Sequence, residues 1–146
     1  MIKFFFSFLF LILLNNYTYA IDTKASQAII VDYNTDEVLF EKNSDIKIPP
    51  ASMTKIMTVY VVFDRLKNTN LSIEDLCKIS ARAYRMKGSR MFVEIDTNVS
   101  INDLIKGIII QSGNDASIAI AECLSGTEED FAKLMNVYAN KLGLKN

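Results

Sequence analysis

In this 146-residue chain, short apolar stretches come first, and apolar residues spaced three and four positions apart, as on one face of a helix, follow later. Residues 25–32 and 38–41 are rich in β-branched and other apolar residues, and the polar residues 33–37 separate them. This pattern predicts two strands of an antiparallel hairpin with a turn between them.

A long helical pattern follows Pro49 and Pro50 and runs from Ser52 to about Lys67. Proline suits the position just before a helix because its missing N–H would have no helical partner there. Apolar residues recur at steps of three and four, which predicts an apolar helix face. This face consists of Met53, Ile56, Met57, Tyr60, Val61 and Phe63.

The middle of the chain predicts two short strands, at residues 75–80 and 91–94, with a polar loop at residues 87–90 between them. Three helices are predicted after them. Ser100 caps the first, which ends at residue 111, and the second covers residues 115–124. Thr127 caps the third, whose predicted buried stripe is Phe131, Leu134, Met135, Tyr138 and Leu142.

The first twenty residues have the three-part layout of a secretory signal peptide. Lys3 supplies a positive charge, an apolar run of residues 4–14 follows, and the small residues Thr18 and Ala20 precede a possible cleavage site. The apolar run is short for a membrane span, so an uncleaved anchor is the second interpretation. We therefore predict a signal peptide at residues 1–20, a single domain at residues 21–146, and export to the periplasm.

Composition excludes several classes of site. The chain has no histidine, which rules out a Ser-His-Asp triad or a His-ligated zinc site built from this chain alone. Its 16 basic and 17 acidic residues nearly balance, so no nucleic-acid partner is predicted. Cys77 and Cys123 could pair in an oxidising compartment, or they could be two separate buried thiols.

Ser52 and Lys55 form an S-x-x-K motif at the start of the long predicted helix. A spacing of three places both side chains on one helix face. Serine is a weak nucleophile that needs a base, and a lysine held neutral by desolvation and a nearby positive charge could serve. The helix N-terminus would add N–H groups that stabilise an oxyanion.

A second motif, Ser112-Gly113-Asn114, interrupts the helical pattern sixty residues later. A hydroxyl and an amide on a tight turn suit proton transfer and amide recognition. The alternative is an ordinary N-cap, in which Ser112 or Asn114 bonds the next helix.

The order of the two motifs resembles the first two of the three motifs of serine β-lactamases and penicillin-binding proteins. Residues 50–58 and 107–116 are similar to the D-alanyl-D-alanine carboxypeptidases of the low-molecular-mass penicillin-binding proteins, peptidase family S11. Residues 87–92 and 135–143 and the opening hairpin resemble the same family. The resemblance implies an α/β fold of the serine β-lactamase and transpeptidase type that needs no metal or cofactor.

The resemblance also implies a role for each site residue. Ser52 would attack the carbonyl between the two terminal D-alanines of a peptidoglycan stem peptide, and Lys55 would take its proton. Ser112 would pass a proton to the leaving amine, Asn114 would orient the substrate backbone, and the N–H of Ser52 would form half of the oxyanion hole. β-Lactam antibiotics would acylate the same serine.

The family's third motif, K-T-G, does not occur in these residues. Lys87-Gly88-Ser89 precedes the second motif, so we predict a loop that flanks the active site. The missing motif leads us to expect a truncated chain, with membrane association possible only through an absent C-terminal region. One alternative is a class A β-lactamase-like hydrolase, although the second motif here reads Ser-Gly-Asn rather than Ser-Asp-Asn. Another alternative is an inactive truncated relative that only binds peptidoglycan or penicillin.

Overall fold

A computed structural model describes residues 21–144. The predicted signal peptide lies outside the described residues. Contacts divide the chain into two compact units, one ending at Lys47 and one beginning at Ile48. Within residues 21–144, no helix is both long and apolar enough to cross a membrane.

The first unit contains the predicted antiparallel hairpin, formed by β1 (Ala28–Val31) and β2 (Val38–Lys42). Ala28 pairs with Lys42, and the register shifts by one residue beside Val31. The turn depends on Asp32, whose carboxylate accepts the backbone N–H groups of Asn34 and Thr35 at 2.9 Å. These bonds lower the pKa of Asp32 below its usual value, that from Thr35 having the larger effect.

The second unit consists mainly of helices, with a small two-stranded sheet. A short 3-10 turn at Ala51–Met53 leads into α1 (Thr54–Asn68). The remaining elements are β3 (Leu76–Lys78), α2 (Ala81–Tyr84), β4 (Asn98–Ser100), α3 (Ile101–Gln111), α4 (Asn114–Ser125) and α5 (Glu128–Lys141). β3 and β4 pair antiparallel.

The predicted starts of α3 and α5 are confirmed by their caps. The Ser100 hydroxyl accepts the N–H of Asp103 and begins α3, and the Thr127 hydroxyl accepts the N–H of Asp130 and begins α5. Each side chain satisfies one of the backbone donors that a helix N-terminus leaves without a partner.

α4 lies at the centre of this unit and packs against α2, α3, α5 and β3. The side chains with no exposed surface include Val61, Val62, Ile79, Ile101, Leu104 and Ile120. Two apolar faces differ from the sequence pattern. On α1 the buried residues are Thr58, Val59, Val61 and Val62. Val61 belongs to the predicted apolar face, but Met53, Ile56, Tyr60 and Phe63 of that face are exposed. On α5, Phe131 and Tyr138 are buried but Leu142 is exposed.

The predicted strand at residues 91–94 is wrong. The backbone N–H groups of Met91, Phe92 and Val93 donate to the carboxylate of Asp115, so they are not available to a neighbouring strand. Phe92 also has a φ of +64°, which a regular strand does not allow. The partner of β3 is β4 instead, and the short helix α2 was not predicted.

Cys77 and Cys123 form a disulfide, which decides between the two interpretations of the sequence. The bridge joins β3 to α4 across 46 residues of sequence, with a Cα–Cα distance of 5.4 Å.

Candidate active site

Ser52 lies in the 3-10 turn that precedes α1, with its side chain exposed. The turn is closed by a hydrogen bond from the N–H of Met53 to the carbonyl of Pro50. Ala51, directly before the serine, has a φ of +48°, a left-handed conformation that costs a non-glycine residue energy. The serine therefore sits on a sharp turn rather than inside the helix.

Lys55 lies in the first turn of α1, and its Nζ is 3.4 Å from the Ser52 Oγ. This distance confirms that the S-x-x-K spacing brings the hydroxyl and the amine together. This separation is slightly longer than the about 2.6–3.2 Å over which proton transfer takes place, and catalytic hydrogen bonds of unliganded sites commonly shorten to that range when substrate binds.

The second motif forms the break between α3 and α4. Ser112 ends α3 with a φ of +51°, and its N–H donates to the carbonyl of Gly107. The N-cap of α4 is Gly113, which makes no side-chain capping bond, so the N-cap interpretation of Ser112 or Asn114 is wrong. Asn114 is free to bond elsewhere, and its Oδ1 accepts a hydrogen bond from Lys55 Nζ at 2.8 Å.

The loop that contains Lys87, Gly88 and Ser89 contacts the second motif. The carbonyl of Lys87 accepts from Asn114 Nδ2 at 2.7 Å, and the carbonyl of Ser89 accepts the backbone N–H of Asn114 at 2.8 Å. Gly88 has a φ of +84°, and a Cβ there would come within 2.9 Å of Asn114 Nδ2. The loop therefore lies beside the candidate site, as the sequence predicts.

A cavity of about 490 Å³ brings three of the four predicted site residues together. Its lining includes the polar residues Ser52, Lys55 and Ser112, and the other lining residues are mainly apolar. The apolar lining is Ile56, Val59, Tyr60, Phe63, Ile108 and Ile109. Asn114 lies on the other side of Lys55, where it lines a second depression of about 210 Å³ that Lys55 also borders.

Asp115 is the residue that sequence reasoning missed. In the sequence Asp115 is an acidic residue in the first turn of a helix. Acidic residues are common at this position because they stabilise the helix dipole from the surface. In the structure it is buried and holds the loop that borders Asn114. The signal that could have found it is the apolar pattern of α4, which places Asp115 on the same face as buried Ile118.

Within the described residues, no three histidine, cysteine or acidic side chains lie close enough to hold a metal ion. The chemistry available at the site is that of a hydroxyl, an amine and an amide. This set suits acyl transfer through a serine ester, with the lysine in the role of the base.

Comparison with known proteins identifies the family. Residues 15–146 match the family model described as D-alanyl-D-alanine carboxypeptidase. The D-alanyl-D-alanine carboxypeptidase DacF of Bacillus subtilis is 43% identical over 123 residues, which cover 84% of this chain and 32% of DacF. DacC of Escherichia coli is 47% identical over 124 residues, covering 81% of this chain and 31% of DacC. The chain thus spans about a third of the length of these relatives.

Solved structures show the same fold for this part. Penicillin-binding protein 5 of Haemophilus influenzae superposes with a TM-score of 0.80 at 38% identity, over 88% of this chain and 38% of that protein. DacD of Francisella tularensis gives a TM-score of 0.79 at 38% identity, over 92% of this chain and 33% of that protein. The predicted α/β class is confirmed for the part of the fold that is covered, and the chain belongs to the D-alanyl-D-alanine carboxypeptidase family.

Proposed function

We propose that this chain carries the nucleophile and the base of a serine-type D-alanyl-D-alanine carboxypeptidase. The observation that supports this most directly is the position of Lys55. Its Nζ lies 3.4 Å from the Ser52 Oγ and 2.8 Å from the Asn114 Oδ1, and Ser112 lines the same cavity as the serine. In a chain without histidine, this lysine is the base within reach of the serine.

The proposed reaction removes the terminal D-alanine from a peptidoglycan stem peptide in two steps. The Ser52 Oγ attacks the carbonyl carbon between the two D-alanines, and its proton passes to the Lys55 amine. The peptide C–N bond then breaks, with a proton delivered through Ser112 to the leaving amine, so that free D-alanine departs. Water hydrolyses the ester on Ser52 by the reverse proton path and releases the shortened peptide.

Asn114 is assigned to substrate orientation. Its Nδ2 group has two hydrogens, of which one donates to the carbonyl of Lys87. The second hydrogen can donate to a carbonyl of the substrate backbone while Oδ1 keeps Lys55 in place. A single side chain then positions both the base and the substrate.

The same serine is proposed to react with β-lactams. A structural relative, penicillin-binding protein D2 of Listeria monocytogenes, is described in its ampicillin-bound form, with a TM-score of 0.74 at 28% identity. Acylation of Ser52 by a penicillin would break the lactam C–N bond and leave a penicilloyl ester. Peptidoglycan lies outside the inner membrane, so the reaction requires export, for which residues 1–20 are the proposed signal.

The test is the intact mass of the chain after incubation with benzylpenicillin. We expect one penicilloyl adduct on the wild-type chain and none on Ser52→Ala. Ser72→Ala, which removes an exposed hydroxyl of the loop before β3, is the matched control and retains the adduct. An adduct that persists in Ser52→Ala would overturn the assignment of the nucleophile.

The products separate the carboxypeptidase from the other two interpretations. Release of free D-alanine from a peptide ending in D-Ala-D-Ala supports the carboxypeptidase. Rapid turnover of penicillin without a lasting adduct supports the β-lactamase-like hydrolase, which the family match disfavours. Binding of the stem peptide with neither product supports the inactive relative.

A further inference from the structure

Asp115 is a buried carboxylate with an unusual set of partners. It is 1% exposed. Its Oδ1 accepts the N–H groups of Met91 at 3.0 Å and Ala116 at 2.9 Å. Its Oδ2 accepts those of Phe92 at 2.8 Å and Val93 at 3.2 Å. Within residues 21–144 no lysine or arginine pairs with it, so backbone N–H groups alone balance its charge.

The loop at residues 87–93 depends on this carboxylate for its conformation. Its residues form neither helix nor strand, and two of them, Gly88 and Phe92, adopt left-handed backbone angles. A loop of this kind keeps one conformation only where surrounding groups hold it. Three successive N–H groups bonded to one buried carboxylate supply that restraint.

Asn114, the residue before Asp115, holds the same loop at its N-terminal end. Asn114 donates its Nδ2 hydrogen to the carbonyl of Lys87 and its backbone N–H to the carbonyl of Ser89. A carbonyl only accepts hydrogen bonds, so the carbonyl of Lys87 requires the Nδ2 side of the amide to face it. The Oδ1 side must then face Lys55, whose Nζ donates to it at 2.8 Å.

We propose that Asp115 is a positioning residue that orients Lys55 through the 87–93 loop and Asn114. The carboxylate fixes the loop, the loop fixes which end of the Asn114 amide faces Lys55, and the amide oxygen holds the Lys55 amine near Ser52. Asp115 touches neither the serine nor the lysine in this scheme. The kinetic part of its test rests on the proposed function, and the structural part does not.

The substitution Asp115→Asn removes the charge with almost no change in shape. Its NH₂ group would face backbone N–H donors instead of accepting from them, so the loop loses either the bond from Met91 or the two bonds from Phe92 and Val93. We expect acylation of Ser52 by benzylpenicillin to slow on the order of a hundredfold, since displaced catalytic groups typically cost that much. Asp103→Asn, at a carboxylate in the first turn of α3 that is 58% exposed, is the matched control and keeps the wild-type rate.

A double-mutant cycle with Asn114→Ala separates positioning from a purely structural role. If Asp115 acts through Asn114, adding Asp115→Asn to Asn114→Ala changes the acylation rate by no more than about twofold, the usual scatter of such cycles. If Asp115 only supports the fold, the two losses multiply, and the proposal is overturned.

The side-chain amide signals of Asn114 in the NMR spectrum give a measurement that needs no activity. We expect slow exchange of one Nδ2 hydrogen in the wild-type chain, the one bonded to the carbonyl of Lys87, and fast exchange of both in Asp115→Asn, with unchanged signals in Asp103→Asn. Unchanged Asn114 signals in a folded Asp115→Asn protein would overturn the proposal. If no variant forms an adduct, the proposed function fails in this chain while the amide signals still decide the role of Asp115.

Gly88→Ala tests the same path if Asp115→Asn does not fold. The added Cβ would press on Asn114 Nδ2 and leave Asp115 and its four N–H donors untouched. We expect fast exchange of the Asn114 side-chain amide and slower acylation, with the N–H groups of residues 91–93 still protected from exchange. Unchanged Asn114 signals in this variant would contradict a path through the loop.

Discussion

At the scale of single residues, the site concentrates polar contacts on one amine. Lys55 is bonded to Ser52 on one side and to Asn114 on the other. Ala51 directly precedes the first motif and Ser112 begins the second, and both adopt left-handed backbone angles. Strained residues next to reactive side chains are expected where geometry matters more than stability.

The role of Lys55 as a base can be separated from its positive charge by two substitutions. Arginine keeps the charge but does not give up its proton near neutral pH, and methionine keeps most of the shape without the charge. We expect both Lys55→Arg and Lys55→Met to slow acylation of Ser52 by benzylpenicillin by roughly a hundredfold to ten-thousandfold, the usual contribution of a general base.

Lys106→Met is the control for this pair, because Lys106 is an exposed lysine of α3 that forms a surface ion pair with Asp103. Its rate of adduct formation, followed by mass spectrometry, should equal that of the wild type. A near-normal rate in Lys55→Arg would show that the lysine contributes charge rather than proton transfer.

At the scale of elements, local signals predict the caps and long helices well. Ser100, Thr127 and the break at Ser112 are found where the sequence places them, because each depends on a few neighbouring residues. The prediction of a strand at residues 91–94 is wrong because the carboxylate of Asp115, more than twenty residues away, accepts hydrogen bonds from the backbone N–H groups of this segment. No local pattern contains that partner.

The contact between α1 and α5 includes a hydrogen bond from the Tyr138 hydroxyl to the Asp64 carboxylate. This bond is the main cause that lowers the pKa of Asp64 and raises the pKa of Tyr138 relative to their usual values. The Asp64 contribution to stability is complete above its unfolded pKa of about 4 and is lost as pH falls through the lower folded value. The Tyr138 contribution is complete below about pH 10 and is lost as pH rises through its higher folded value.

We therefore expect Tyr138→Phe to lower the thermal unfolding midpoint most between these limits. The difference from wild type should shrink in strong acid and in strong base, where the bond is lost in both proteins. Tyr84→Phe, at an exposed tyrosine of α2, should leave the midpoint unchanged. A Tyr138→Phe deficit that is constant from acid to alkaline pH would show that packing, rather than the hydrogen bond, is affected.

At the scale of the whole molecule, the disulfide connects the small sheet to the central helix. It joins β3 to α4, the helix that begins with Asn114 and Asp115. For a bridge that spans 46 residues, the chain-entropy model gives about 4 kcal/mol of stabilisation. We expect urea unfolding at a clearly lower concentration after reduction than before.

The double variant Cys77→Ala with Cys123→Ala is the control for that measurement. Its unfolding midpoint should be lowered and should not respond to reducing agent. Two titratable thiols in the untreated native chain would contradict the bridge.

The remaining feature of the whole molecule is an exposed apolar face beside the serine. Ile56, Tyr60 and Phe63 on α1 are 73%, 42% and 50% exposed, and Ile109 on α3 is 62% exposed. Soluble monomers rarely leave apolar residues together in this way. The sequence pattern identified these α1 residues and Val61 as one apolar face, but it did not reveal that the helix packs through Val59, Val61 and Val62 while Ile56, Tyr60 and Phe63 stay exposed.

This face predicts self-association of the isolated chain. Phe63→Ser should reduce association, measured by sedimentation velocity, while changing the free energy of unfolding by less than about 0.5 kcal/mol, as is usual for exposed sites. Val62→Ser, one residue away and fully buried, should instead cost roughly 2 to 4 kcal/mol because it leaves a cavity and buries a hydroxyl. Equal destabilisation by both variants would mean that Phe63 is packed, and that the face is not available for association.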